Sequence, residues 1–270
     1  MLSQRLASLV GLLVVSAGSC LAVGMALAGA WDEPVEVRVL DGGAVQGSAD
    51  RLAGLEITLA PGWKTYWRQP GESGIPPRFD FSGSQNVAGV AVEWPAPELF
   101  NDGYGWIVGY ADTVVLPLRV TPVDPGKPVG LRLAMHFGVC KDICVPADAD
   151  LSARLGEGTP QASAIELFRR RVPVPVSGDD PRGGVVSVAR IGEGEDARLE
   201  IELRFPPQTD DPFLLVEGPA GWPTPVAERL GGDGNGRYRF ALPLPAGSGV
   251  DLRLTGVSDG FSFERALRID

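Results

Sequence analysis

Cys140 and Cys144 stand three residues apart in the run Met135-His136-Phe137-Gly138-Val139-Cys140-Lys141-Asp142-Ile143-Cys144-Val145-Pro146, and the chain has one other cysteine, Cys20. Such a pair supports two kinds of chemistry. It closes a small structural disulfide, or it exchanges: one thiolate attacks a partner's disulfide and the second sulfur resolves the mixed disulfide. A tight reversal carrying Lys141 and Asp142 brings two Cα atoms to the ~5.5–6 Å that a disulfide needs. Closing a ring of about five residues stabilises by only roughly 2 kcal/mol in the loop-entropy picture, so the bond is a weak staple. The flanking charges oppose one another, Lys141 favouring a thiolate and Asp142 disfavouring it, and the spacing does not say which sulfur attacks. The only histidine, His136, lies four residues before Cys140. His136, Cys140 and Cys144 form an alternative soft ligand set for Cu(I) or Zn(II). A histidine on a strand flank more often packs, however, and Gly138 threatens the strand that would keep 136 and 140 on one face. Hydrolysis has no support, because no nucleophile motif accompanies that histidine.

The compartment decides whether such a pair is oxidised at rest. Residues 1–30 carry one charge, Arg5, then an apolar run from Leu6 to Leu27 and the small-residue sequence Ala28-Gly29-Ala30. This is the pattern of a signal peptide cleaved after Ala30, and it predicts export to the periplasm. A retained anchor is the competing reading, since the run approaches the ~20 residues of a spanning helix. Lipid attachment at Cys20 is disfavoured by the poor lipobox Ala17-Gly18-Ser19 and by the apolar stretch beyond it. No later segment is apolar enough to span a bilayer, so the mature protein is expected not to be membrane-embedded. Cleavage would remove only one charge and take the net charge from −10 to −11. That acidity argues against nucleic acid or an anionic membrane as partner. Lysine occurs only at Lys64, Lys127 and Lys141.

The elements that must hold the pair are strands. Proline and glycine punctuate the chain, and β-type runs lie between them at 35–40, 55–59, 87–94, 114–120 and 131–137. In 131–137 the apolar residues alternate, the period of a half-buried strand. An all-β fold of two immunoglobulin-like sandwiches follows, joined by a short helical and proline-rich linker. The expected divisions are a signal peptide at 1–30, a redox domain at 31–157, a linker at 158–175 with a helix over 161–171, and a second sandwich at 176–270 with six or seven strands. The run Gly231-Gly232-Asp233-Gly234-Asn235-Gly236 lacks the Lys-Ser/Thr and helix of a phosphate loop and reads as a hairpin turn.

The stretch Gly138-Val139-Cys140-Lys141-Asp142-Ile143-Cys144-Val145-Pro146 and the strand before it resemble the N-terminal periplasmic domain of the DsbD/ScsB thiol:disulfide interchange proteins. Two more segments agree in order. Ala60-Pro61-Gly62-Trp63-Lys64-Thr65-Tyr66-Trp67 resembles the family's aromatic strand beside the redox centre. Leu99-Phe100-Asn101-Asp102-Gly103-Tyr104-Gly105 resembles its cap loop, which covers the disulfide until a partner displaces it. The resemblance spans about residues 31–156. It implies that Cys140 and Cys144 are the redox pair, with Tyr66, Phe100, Asp102, Tyr104 and Trp106 as neighbours or shield. It also implies a protein-disulfide reductase component without a cofactor. A membrane electron-transfer protein or thioredoxin-like domain would be its donor, and a periplasmic thiol oxidoreductase its acceptor. Three residues part the cysteines, as in ScsB-like members, and Gly103 stands where the best-known caps carry Phe. The sequence holds neither a membrane conduit nor a thioredoxin-like domain, so both are expected on other chains. The rival expectation is an exported module that binds copper or a protein, its disulfide merely structural.

Overall fold

A computed structural model describes residues 34–71, 74–101, 105–177, 180–194, 197–219, 222, 226–245 and 249–269. The export segment with Cys20 and Ala30, and the cap residues Asp102, Gly103 and Tyr104, lie outside the described residues. The remainder is almost entirely β, and residues 33–270 group as one compact unit.

Two sheets form the N-terminal half. The four-stranded one has the order β1 (Val35–Ala44), β2 (Arg51–Leu59), β8 (Thr113–Pro122), β5 (Val87–Val92). The six-stranded one runs β10 (Cys144–Leu155), β9 (Val129–Cys140), β3 (Lys64–Gly71), β7 (Trp106–Ala111), β6 (Glu98–Asn101), with β4 (Arg78–Asp80) also paired to β9. The alternation expected over 131–137 holds along β9, where Leu131, Leu133, Met135 and Phe137 are buried and Arg132, Ala134 and His136 exposed. Their inward residues meet Leu55, Ile57, Val114, Leu116 and Leu118 of the facing sheet in one core. Trp67 and Tyr110 belong to that core too. Burial pushes the Tyr110 phenol well above its ordinary range, and its hydroxyl donates to the Pro95 carbonyl at 2.8 Å.

The helix expected over 161–171 is α1 (Ala162–Arg169). It is no free spacer: Ile165 is fully buried with Leu40, Leu52 and Val115 on the outer side of the four-stranded sheet. Gly42 and Gly54 make room for it, since a Cβ at either would come within 2.8 Å of the Ile165 side chain. The chain then continues through β11 (Val174–Pro175) into a second pair of four-stranded sheets. One has the order β11, β18 (Phe261–Ile269), β17 (Val250–Ser258), β14 (Phe213–Glu217); the other β12 (Gly184–Ile191), β13 (Arg198–Arg204), β16 (Arg237–Pro243), β15 (Glu228–Gly232). Leu199, Ile201, Leu203, Phe240, Leu252, Leu254 and Phe263 fill the space between them. The glycine-rich run is the β15–β16 hairpin.

A cluster of half-buried charge joins the halves. Arg68 of β3 donates to both oxygens of Glu217 on β14 at 2.6–3.2 Å, and also pairs with Glu264 of β18. Its guanidinium lies 4.2 Å from the centre of the Trp67 ring. Burial opposes the Arg68 cation, but the two carboxylates outweigh it and hold the group above its ordinary range. A buried ion pair stripped of one partner leaves an uncompensated charge. Arg68→Ala is therefore expected to destabilise by about 3 kcal/mol in urea denaturation. Glu264→Gln should cost less, since Glu264 is the more exposed carboxylate and Glu217 would remain.

Candidate functional site

β9 and β10 form a hairpin whose twelve residue pairs run without a shift from Val129–Leu155 to Cys140–Cys144. The two cysteines therefore face each other as the last pair before the turn, and they are joined as a disulfide with Cα atoms 4.1 Å apart. The turn is Lys141-Asp142-Ile143, with the Lys141 amide donating to the Ile143 carbonyl at 3.4 Å. Gly138 does not interrupt the strand; it lies inside the ladder opposite Pro146.

Strand alternation decides what surrounds the pair. Cys140 opposes Lys64 of β3, and Gly109 of β7 opposes Tyr66; Phe100 of β6 opposes Ile107. These positions share the outer face of the six-stranded sheet, away from the inter-sheet core. There Tyr66, Ile107 and Cys140 form a separate buried cluster, with Ile75, Phe100 and Cys144 packed against it. Cys140 is only 3% exposed, whereas Cys144 is half-buried.

Tyr66 is held by missing side chains. A Cβ on Gly138 would come within 2.7 Å of its ring and 2.8 Å of Ile75 Cβ, and one on Gly74 within 2.7 Å of the same ring. Settled between them, the phenol donates to Cys144 Sγ at 2.9 Å. Thr65, one residue earlier and facing inward, donates to the Gly138 carbonyl at 2.9 Å and locks β3 to β9. A hydroxyl donor on the more exposed sulfur favours a negative charge there when the bond opens.

The predicted residues are brought together only in part. Tyr66 and Phe100 join the cysteines; Phe100 sits on β6, in register with β7, and so is carried by a strand and not by a loop. Trp106 lies on the opposite face from Ile107. It is 39% exposed and lines a cleft with Leu99, Phe213 and Phe261, away from the sulfurs. The ligand set His136, Cys140, Cys144 is not assembled: four strand residues span about 13 Å, and His136 Nδ1 pairs with Asp148 at 2.7 Å. Among the described residues no group of three or more His, Cys, Asp or Glu side chains is placed to hold a metal ion. Sequence reasoning missed Ile75, Ile107 and Lys64. Alternation along β3, which puts Lys64 on the face of Tyr66, was the one signal available.

Residues 37–155 match the family model described as thiol:disulfide interchange protein DsbD, N-terminal. The N-terminal periplasmic domain of ScsB from Proteus mirabilis is 24% identical, with a TM-score of 0.69 over 88% of this chain and 94% of that one. It shares the fold, and its coverage includes the C-terminal sheets. The C-terminal domain of the Streptococcus agalactiae AgI/II polypeptide BspA aligns over 87% of this chain and 99% of that one at 9% identity, but its TM-score of 0.15 carries no structural likeness. No curated protein matches. The expected all-β, immunoglobulin-like fold thus holds for the segment bearing the cysteines, and no helix among the described residues is long and apolar enough to cross a membrane.

The glycine slots give a test. Gly138→Ala must displace the Tyr66 ring and is expected to cost about 1–3 kcal/mol in urea denaturation of the oxidised protein. Tyr66→Phe, which keeps the ring and loses one hydrogen bond, should cost under about 1.5 kcal/mol. Equal, small effects would contradict this packing.

Proposed function

We propose that this chain is an exported thiol:disulfide exchange module whose Cys140–Cys144 pair cycles between disulfide and dithiol. It would take electrons from a membrane protein or thioredoxin-like donor and pass them to periplasmic thiol oxidoreductases. The observation that carries this reading is the position of the bond. It ends a hairpin already held by an unbroken ladder, where a ring of about five residues adds only roughly 2 kcal/mol. One sulfur is half-buried and accepts a hydrogen bond, while the other is covered by a small apolar cluster apart from the core. A staple needs none of these arrangements.

In the reductive half-cycle the Cys144 thiolate attacks a sulfur of the acceptor's disulfide. A mixed disulfide forms and the acceptor's other sulfur leaves as a thiolate. Cys140 then attacks Cys144 Sγ, the mixed bond breaks, and the acceptor's second sulfur departs. The acceptor gains two electrons and the Cys140–Cys144 bond is restored. Cys144 is the attacking sulfur because it is the more exposed and holds the Tyr66 hydrogen bond. Phe100 covers the pair until docking displaces it, and Asp102 and Tyr104 are assigned to the same cover by the family resemblance. Ile143, at the tip of the turn and 74% exposed, offers an apolar contact beside Cys144. Residues 176–270 serve as scaffold or docking surface, with 158–175 as the connection.

The test is the reduction potential of the pair together with trapping. A potential above about −300 mV is expected; a lower one marks a structural bond and overturns the reading. Cys140→Ala should capture a partner as a stable mixed disulfide through Cys144, and Cys144→Ala should capture little.

A further inference from the structure

Resolution of a mixed disulfide requires the second sulfur as a thiolate, and Cys140 is badly placed to be one. It is 3% exposed and packed against Ile107 and the Tyr66 ring, and apolar surroundings disfavour a thiolate. A compensating charge is needed. Two of the chain's three lysines lie at this site. Lys141 is exposed, its stem beside Gly62, so water screens its charge. Lys64 is different. It is half-buried, it is the residue of β3 directly opposite Cys140, and its side chain shares that sulfur's face of the sheet. Side chains of directly opposed residues begin about 5 Å apart at Cβ. In the oxidised form the Lys64 ammonium lies 5.2 Å from the centre of the Phe100 ring, a cation–π contact that also holds the cover in place.

We propose that Lys64 is a positioning residue for the resolving step: with the pair reduced and Phe100 displaced, its ammonium turns from the ring to Cys140 and stabilises the thiolate that attacks Cys144. The bonds and electrons are those of the exchange above, and the Cys140 thiol proton leaves to water. Its flexible stem suits a charge with two alternative partners. Among the described residues the other ionisable groups around Cys140 are few. Asp142 and Lys141 in the turn are exposed and opposite in sign, and Tyr66 directs its hydroxyl to Cys144. Glu98, farther along β6, lies 3.9 Å from Arg171.

This inference rests on the exchange reading, and its test separates the two. In Cys144→Ala the lone Cys140 thiol is titrated by thiolate absorbance at 240 nm, with and without Lys64→Met. The thiolate fraction at neutral pH should fall about tenfold or more on removing the cation, and Lys64→Arg should largely restore it. In the protein with both cysteines, reduced and mixed with oxidised glutathione, quenched samples should show the glutathione adduct forming no more slowly but persisting about tenfold longer in Lys64→Met. An unchanged titration, or equal slowing of formation and resolution, overturns the role of Lys64. If the titration responds while the intact pair resists glutathione, the coupling of Lys64 to Cys140 stands and the exchange function fails.

Discussion

The ladder between β9 and β10 is the constraint on which the site depends. Because side chains alternate, a slip of one residue would send Cys140 into the inter-sheet core, part it from Cys144 and turn Phe137 out to solvent. The inward set Leu131, Leu133, Met135 and Phe137 forbids that slip. Burial of ordinary aliphatic residues on one face thus fixes the chemistry on the other. The Thr65 bond to the Gly138 carbonyl extends the constraint to β3, which carries Tyr66, Lys64 and Arg68 in succession along the same strand.

The half-buried Arg68 cluster passes the constraint on. Two positions beyond Tyr66, the same strand holds Glu217 and Glu264 of the C-terminal sheets through Arg68. A guanidinium suits this place because it satisfies two carboxylates while stacking on Trp67. The C-terminal sheets are therefore fastened to the strand that supports the redox pair, and not merely tethered through the chain that follows α1.

Much of this was legible in the sequence, for physical reasons that differ by residue. Alternation announced β9, and the punctuation of glycine and proline announced strands in both halves. Tyr66 and Phe100 were found through family resemblance, whereas composition could not have singled them out. Trp106 was misjudged as part of the shield because one residue of β-strand phase, invisible without the β6–β7 register, sends it to the other face. The segment 158–175 read as a linker because its turn residues are obvious, while the pit that receives Ile165 is made by Gly42 and Gly54, more than a hundred residues away. Lys64 gave only the signal of sharing strand phase with Tyr66: its significance comes from standing opposite Cys140.

Placing the sulfurs on the outer face of the sheet has a thermodynamic consequence. Opening the bond disturbs the small group around Tyr66, Ile107 and Phe100 but no residue of the layer between the sheets. Folding and the state of the bond are then linked only through the roughly 2 kcal/mol of the short ring, so the scaffold is expected to persist when the bond opens. The pair's affinity for electrons is set by a few neighbouring side chains, open to adjustment by substitution without loss of the scaffold.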